Sequence, residues 1–393
     1  MPEFTAGALW VTKLPFIIPW ILNLITAVLS VIAVYYFILI SGRFINKNRY
    51  IVYLSALVFA FSPLFYINST GMMDYNWALA FLMGSVYYLL SERLNLSALF
   101  LALAVGCRIT SALIIIPFIY LMLMDKRLLR RDIVKYIIIS SAAAFILLLP
   151  LILKYGITFL TYDRSKDAYS IINIVGRLTL RAWGAVGSIG IVAAVISQFV
   201  IDKKNFIRKL IVNEKTVNFV LISIIVFFLL FLSLPVDAGY LIPLVPFVVL
   251  ILYRFLSPKI LIYLSVILIA SPFILYIDQN DVFIEGPVLT DLNKRIAEEK
   301  YVNKVIDIAE TFNKPGLIIC QAFLPKIEIT MKLKNEAVPE DVMFVYTLSY
   351  DSLKTLVQKN NPDIFYLKNV RENTLIIYNY DLKMVGAMKI EED

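Results

Sequence analysis

The chain has 393 residues, of which 60% are hydrophobic and only 17% are charged, and its formal net charge is +8. This composition excludes an ordinary soluble globule and predicts a polytopic membrane protein. The positive charge does not predict nucleic-acid binding, because the basic residues lie mostly in short loops and are not interleaved with aromatic ones. With no histidine and no CxxC, DxD or HExxH pattern, we expect no cofactor and no tightly held metal. A loosely bound divalent cation is not excluded.

Apolar segments in chain order predict the membrane helices. They cover residues 16–40, 50–67, 75–91, 96–124, 134–154, 183–201, 218–234, 240–256 and 260–277. Basic loops follow the first, fourth and sixth of these segments, so the positive-inside rule places those loops in the cytoplasm and the N-terminus outside. We therefore expect an all-α, multi-pass domain over 1–277 in the cell membrane and an extracytoplasmic domain over 278–393.

The segment 96–124 does not fit a simple alternation of loops between the cytoplasmic and the outer side of the membrane. A single crossing would put the basic cluster at 125–135 outside, against the positive-inside rule. The segment is too short for two full spans but long enough for two half-spans, which predicts a broken pair or re-entrant hairpin with Arg108 at its turn on the outer side. A buried arginine costs about 2.5–3.5 kcal/mol on insertion scales and needs a partner or a polar cavity. The alternative is one long helix with a snorkelling arginine.

Asp74 is the best candidate for a catalytic base. It lies in a short loop between two apolar segments and is the only acidic residue between Glu3 and Glu92. In a chain without histidine, a carboxylate at a membrane surface is well suited to accept a proton. The alternative is an ordinary helix N-cap, because an aspartate before a helix accepts backbone N–H bonds.

Two further outer loops carry candidate binding residues. Arg164, Arg177 and Arg181 give the loop 155–182 a basic excess on the outer side, which predicts an anionic ligand. The alternative is an interfacial helix whose arginines contact lipid headgroups. Asp237 and Tyr240 lie in a second outer turn, where the aspartate either pairs with an arginine, contacts sugar hydroxyls or is a plain turn residue.

The polar C-terminal third predicts a small α/β domain. Apolar residues recur at helical spacing over 291–312, which predicts an amphipathic helix. Short apolar runs follow at 316–320, 343–347, 363–367 and 374–378, with a helical stretch at 349–358. Alternating strands and helices are typical of an α/β fold.

Three stretches resemble the C-type membrane glycosyltransferases (GT-C), including their protein-mannosyltransferase and aminoarabinose-transferase relatives. Residues 60–66, followed by the Asp74 loop, look like the family's early outer segment. Residues 101–117 resemble its GLAxGxRxxSxxxxxP region. Residues 235–246 are similar to its RYLLPLLP stretch, with Gly239 at the arginine position. The resemblance covers roughly residues 10–280.

The resemblance implies a GT-C-like helix bundle that transfers a sugar, with inversion, from a polyprenyl-phosphate carrier to a glycan, lipid or protein acceptor on the outer face. Asp74 would assist the acceptor hydroxyl, and Arg108 with the loop arginines would bind the phosphate. Family members also carry an earlier helix and an acidic residue or pair in the first outer loop. Neither feature has a counterpart here, so either the chain starts late or it lacks that base. In both cases the activity of this chain is in question. A transporter or flippase of an amphipathic substrate and a non-catalytic membrane scaffold stay open.

Overall fold

A computed structural model describes residues 17–45, 48–71, 73–125, 127–156, 171–202, 214–235, 237–277, 282–310, 316–319, 324–334, 342–345, 363–369, 374–378 and 384–389. The chain divides into two compact units. One is Ile21–Thr290, and the other combines Met1–Trp20 with Asp291–Asp393. The division falls after Thr290, whereas the sequence puts the domain boundary at 277.

The first unit is mainly a bundle of apolar helices. In chain order they are α1 (Ile17–Phe44), α2 (Arg49–Ala60), α3 (Pro63–Asn68), α4 (Asp74–Leu90), α5 (Leu94–Cys107), α6 (Ile115–Leu123), α7 (Arg130–Tyr155), α8 (Ile171–Gly176), α9 (Ala185–Ile201), α10 (Lys215–Ser233), α11 (Val245–Phe255) and α12 (Pro258–Ala270). Within the described residues, α1, α7 and α10 are long and apolar enough to cross a membrane. The pair Ile171–Arg181 and Ala185–Ile201, bent by 85°, gives a fourth if it is one span.

These long helices expose much of their apolar surface. α7 buries only 17% of its most apolar 18-residue stretch, and α1 and α10 each bury 33% of theirs. Large contiguous apolar faces are unfavourable in water but not in lipid. By length and composition the bundle is therefore compatible with a membrane domain.

Side-chain contacts divide the helix termini into two groups. α4 and α5 are antiparallel, because Ser85 and Ser97 each donate a hydrogen bond to the other's carbonyl oxygen at 2.8 Å, while Asp74 meets Arg108 at 3.0 Å. We call the end of the bundle that carries this ion pair the Asp74 end. The opposite end carries Glu92, in the turn between α4 and α5, and is called the Glu92 end.

The chain between α5 and α7 reverses direction at Arg108. This residue is extended (φ −152°, ψ 110°), and a 3₁₀-helix over Ile109–Ile114 leads from it into α6. The start of α5 and the end of α6 lie together, because Arg127 Nη2 contacts Glu92 Oε1 at 2.6 Å. The segment is therefore a hairpin with its turn at the Asp74 end, as its length and charge predict. The alternative of one long helix is wrong.

Ion pairs tie the helices together at the Glu92 end. Asp125, after α6, contacts Arg127 at 2.9 Å and Lys215 of α10 at 3.8 Å. Arg254, near the end of α11, contacts Glu214 at 2.7 Å. Hydrogen bonds from Arg127 hold the pKa of Asp125 at about 2, below its ordinary value of 3.8.

α9 packs closely against the end of α12. Gly184 begins this contact with a positive φ of 75°, and the Gly187 N–H donates to Ser271 Oγ at 3.0 Å. The Ser271 hydroxyl in turn donates to the Trp183 carbonyl oxygen at 2.6 Å. A Cβ at either glycine would overlap the serine side chain, so these glycines permit close helix packing.

The last apolar segment is shorter than predicted. The sequence predicts a helix over 260–277, but α12 ends at Ala270 and a 3₁₀-turn over Ser271–Phe273 follows. Pro272 lacks a backbone N–H and its ring cannot follow an α-helical turn, so the helix stops before it. The remaining residues form β1 (Ile274–Ile277), which pairs antiparallel with β2 (Val282–Glu285).

The second unit contains a mixed sheet. After α13 (Pro287–Glu310) come β3 (Gly316–Ile319), α14 (Leu324–Lys334), β4 (Val342–Val345), β5 (Asp363–Asn369), β6 (Thr374–Tyr378) and β7 (Met384–Lys389). The strand order is β4-β3-β5-β6-β7, with β3 parallel to β4 and β5, and β6 antiparallel to both its neighbours. The sequence anticipates α13 and β3 to β6 but misses α14 and β7. The helix predicted at 349–358 lies outside the described residues.

Candidate functional site

An ion pair between Asp74 and Arg108 forms the centre of the candidate site. Nη1 of Arg108 donates to both carboxylate oxygens of Asp74, at 3.1 and 3.0 Å. Each side chain retains 15% of its accessible surface. The hairpin turn brings Arg108 to the first residue of α4, so the buried arginine has the partner that its cost requires.

Asp74 does not act as the cap of α4. The N-cap position is Met73, which makes no side-chain cap hydrogen bond, and Asp74 is the first helical residue. Its carboxylate bonds to Arg108 rather than to backbone N–H groups. The N-cap interpretation is therefore wrong, although a carboxylate in the first turn of a helix also suits the helix dipole.

Two tyrosine rings lie against the guanidinium of Arg108. Its Cζ is 3.6 Å from the centre of the Tyr75 ring and 4.5 Å from that of Tyr240. The two rings meet edge-to-face, with their centres 6.1 Å apart at 83°. Contacts through the ring faces use none of the N–H donors of the guanidinium.

One nitrogen of the guanidinium lacks an acceptor among the residues that the structure describes. Nε of Arg108 is buried and has no hydrogen-bond partner in the described part of the chain. The two hydrogen bonds from Arg108 to Asp74 both come from Nη1 instead. Nε thus keeps a hydrogen-bonding capacity that no described residue uses, and an arginine fork can bind carboxylate and phosphate groups in pairs of hydrogen bonds.

Asp237 connects the late outer turn to the same site. Among the described residues it pairs with no arginine. Its Oδ2 accepts from the Tyr75 hydroxyl at 2.5 Å, and its Oδ1 accepts from the Gly239 N–H at 3.0 Å. The second bond caps a 3₁₀-helix over Ala238–Leu241, which carries Tyr240. Tyr75 is the site residue that sequence reasoning missed, although its position next to Asp74 is a signal.

The structure describes two of the three arginines predicted in the outer loop. Arg164 lies outside the described residues. Arg177 and Arg181 belong to a π-helical segment that packs against the 3₁₀-helix 238–241 and so borders the site. The Arg181 guanidinium lies 5.3 Å from the ring centre of Tyr276, not on Asp74. The structure therefore brings Asp74, Arg108, Asp237 and Tyr240 into one cluster, with the 177–181 segment beside it.

The cluster offers three kinds of chemistry in one place. A carboxylate can accept a proton or orient a hydroxyl, a guanidinium edge can bind an oxyanion, and aromatic rings can hold both in position. Among the described residues, no group of three or more Cys, Asp or Glu side chains is arranged to hold a metal ion.

Comparisons of this chain with protein-family models, with curated proteins and with solved structures found no match. Its function is therefore inferred from the cluster itself.

Proposed function

We propose that this chain is a membrane glycosyltransferase of the GT-C type, which moves a sugar from a polyprenyl-phosphate carrier to an acceptor hydroxyl. The observation that carries the proposal is the Asp74–Arg108 pair, in which the carboxylate lies beside a guanidinium whose Nε edge has no partner among the described residues. A lipid-linked sugar phosphate needs both groups at once. The apolar faces of the surrounding helices suit its prenyl chain.

The reaction assigns a role to each charged group. The acceptor oxygen attacks the anomeric carbon of the sugar and forms the new glycosidic bond, while the bond from that carbon to the phosphate oxygen breaks. The leaving phosphate keeps the electron pair and is stabilised by Arg108. The acceptor proton passes to Asp74, which acts as the general base. Attack from the face opposite the leaving group inverts the anomeric configuration.

The charges at the two ends of the bundle support an orientation. The Glu92 end carries the basic residues Arg43, Arg93, Arg127, Arg130, Arg131, Lys135, Lys215, Arg254 and Lys259. By the positive-inside rule this end faces the cytoplasm. The Asp74 end then faces the outer side of a multi-pass protein. The C-terminal domain, which follows β2 in the chain, is extracytoplasmic in this proposal.

The proposal predicts that transfer depends on both charges of the central pair. Membranes containing the full chain are incubated with radiolabelled polyprenyl-phosphate sugars, and the label that reaches an acceptor is measured. Asp74→Asn is expected to lower the rate by about 10²–10⁴-fold, as for loss of a general base. Arg108→Gln is expected to lower it by about 10²–10³-fold, because the leaving phosphate loses its cation.

Arg254→Gln is the matched control. It removes a guanidinium from a partly buried ion pair at the Glu92 end, where Arg254 contacts Glu214 at 2.7 Å, and should keep a rate close to that of the wild type. Equal transfer by wild type, D74N and R108Q would reject the proposal. Labelled donor that crosses the bilayer without being consumed would instead favour a flippase.

A further inference from the structure

We propose that Tyr75 is a positioning residue that fixes the direction of the Arg108 guanidinium, so that its unpartnered edge faces the phosphate of the donor. The inference rests on the proposed function, because it names a residue that acts through the phosphate-binding arginine of the same site. Tyr75 itself does not contact the reacting atoms in this proposal.

The ring of Tyr75 restricts Arg108 without using its donors. The guanidinium carbon lies 3.6 Å from the ring centre, closer than the 4.5 Å to Tyr240 on the same group. A guanidinium that lies on an aromatic face keeps its N–H groups in the plane, where they point away from the ring. Nη1 then reaches Asp74, and Nε keeps no partner among the described residues.

Tyr75 is itself held from three directions. Its hydroxyl donates to Asp237 at 2.5 Å, and its ring meets the edge of Tyr240. A Cβ at position 239 would overlap the Tyr75 ring, so only glycine there leaves the ring its place. The side chain is 7% exposed. A ring held in this way can hold a long and flexible arginine in one orientation.

The consequence for binding follows from the freedom that Arg108 would otherwise have. An arginine loses side-chain entropy when a ligand orders it, and a side chain that is already ordered binds the ligand more tightly. Without the Tyr75 ring, the guanidinium can also turn its Nε edge toward Asp74. The carboxylate would then occupy the donors that we assign to the phosphate.

The test measures phosphate binding and transfer separately. Citronellyl phosphate, a short prenyl phosphate, is titrated into the purified full chain, and its dissociation constant is obtained from the rise in melting temperature. Tyr75→Leu is expected to weaken binding by about tenfold, the size of the entropy lost when a ligand orders one flexible side chain. Tyr75→Phe keeps the ring and is expected to lie between Y75L and the wild type. In transfer assays Y75L should raise KM more than it lowers kcat.

The matched controls are Tyr136→Phe and Tyr136→Leu. Tyr136 is 1% exposed, and its hydroxyl bonds to Ser97 at 3.1 Å at the Glu92 end. These variants remove the same groups from a buried tyrosine away from the site, so they should lower the melting temperature without changing citronellyl phosphate binding. A positioning role also requires that Y75L/R108Q bind no more weakly than R108Q alone, because Tyr75 acts only through that arginine.

The outcomes separate this inference from the proposed function. Wild-type affinity in Y75L, or losses that multiply in the double variant, would overturn the positioning role while leaving the transferase proposal in place. Failure of the wild type to bind citronellyl phosphate would also overturn it. Binding that behaves as expected, in a protein that transfers no sugar from any donor, would support the positioning role and reject the transferase proposal.

Discussion

The stability of the Asp74–Arg108 pair gives the sharpest prediction that needs no substrate. The Coulomb energy of two unit charges 3.0 Å apart is about 5–6 kcal/mol at an effective dielectric constant near 20. Much of this is offset by desolvation, since both side chains are 15% exposed. Removing one partner nevertheless leaves the other charge largely buried. We expect Asp74→Asn or Arg108→Gln to destabilise the protein by roughly 2–4 kcal/mol.

The assay is a double-mutant cycle on the detergent-purified full chain. At about 2–4 °C per kcal/mol, each single variant should lower the melting temperature by roughly 4–16 °C when all are scanned at one rate. D74N/R108Q carries no unpaired charge, so its loss of stability should be smaller than the sum of the two single losses. The coupling energy is expected to be about 2 kcal/mol.

The pair Glu214 and Arg254 provides the control cycle. These side chains are 40% and 27% exposed, so removing either partner leaves a charge that water still solvates. The coupling of E214Q and R254Q should therefore be about 0–1 kcal/mol. If the effects of D74N and R108Q simply add in the double variant, the two residues do not form a stabilising pair, and the reasoning from burial is refuted.

Three further substitutions test the packing at Gly239 and Gly187 and the lowered pKa of Asp125. Gly239→Ala is expected to displace the Tyr75 ring and to destabilise by about 1–3 kcal/mol, measured as a lower melting temperature; an unchanged value would contradict the tight contact. Gly187→Val should separate α9 from α12 and cost a similar amount, about 1–3 kcal/mol, in the same measurement. Asp125→Asn tests pH dependence: Arg127 lowers the pKa of Asp125 from 3.8 to about 2, so this carboxylate stabilises the folded state above pH 4 and loses that effect as pH falls toward 2. The melting temperatures of D125N and wild type should thus differ at pH 6 and converge at low pH; a constant difference would contradict the shift.

Much of the helical architecture is predictable from local features of the sequence. The apolar runs locate the helices because helix length and hydropathy are local properties. The reversal at Arg108 is predictable because a charge in mid-segment, a length between one and two spans and the basic cluster after it all disfavour a single helix. The helix over 260–277 is overpredicted, because the apolar run continues past the Pro272 stop into a strand.

The site is predictable only in part. Asp74 and Arg108 are rare charges in apolar surroundings, and such residues are easily recognised in a sequence. Tyr75 is one of 23 tyrosines, and its hydrogen bond joins residues 162 positions apart. No local pattern encodes that pairing. The space that Gly239 leaves for the tyrosine ring likewise depends on tertiary packing.

The order of synthesis has a consequence for this cluster. Asp74, Tyr75 and Arg108 leave the ribosome before Asp237 and Tyr240, which lie more than 100 residues further along the chain. During that interval the Arg108 guanidinium lacks the Tyr240 ring, and the Tyr75 hydroxyl lacks its acceptor, Asp237. A chain interrupted before the late turn would therefore possess both central charges and still present an arginine that points in no fixed direction.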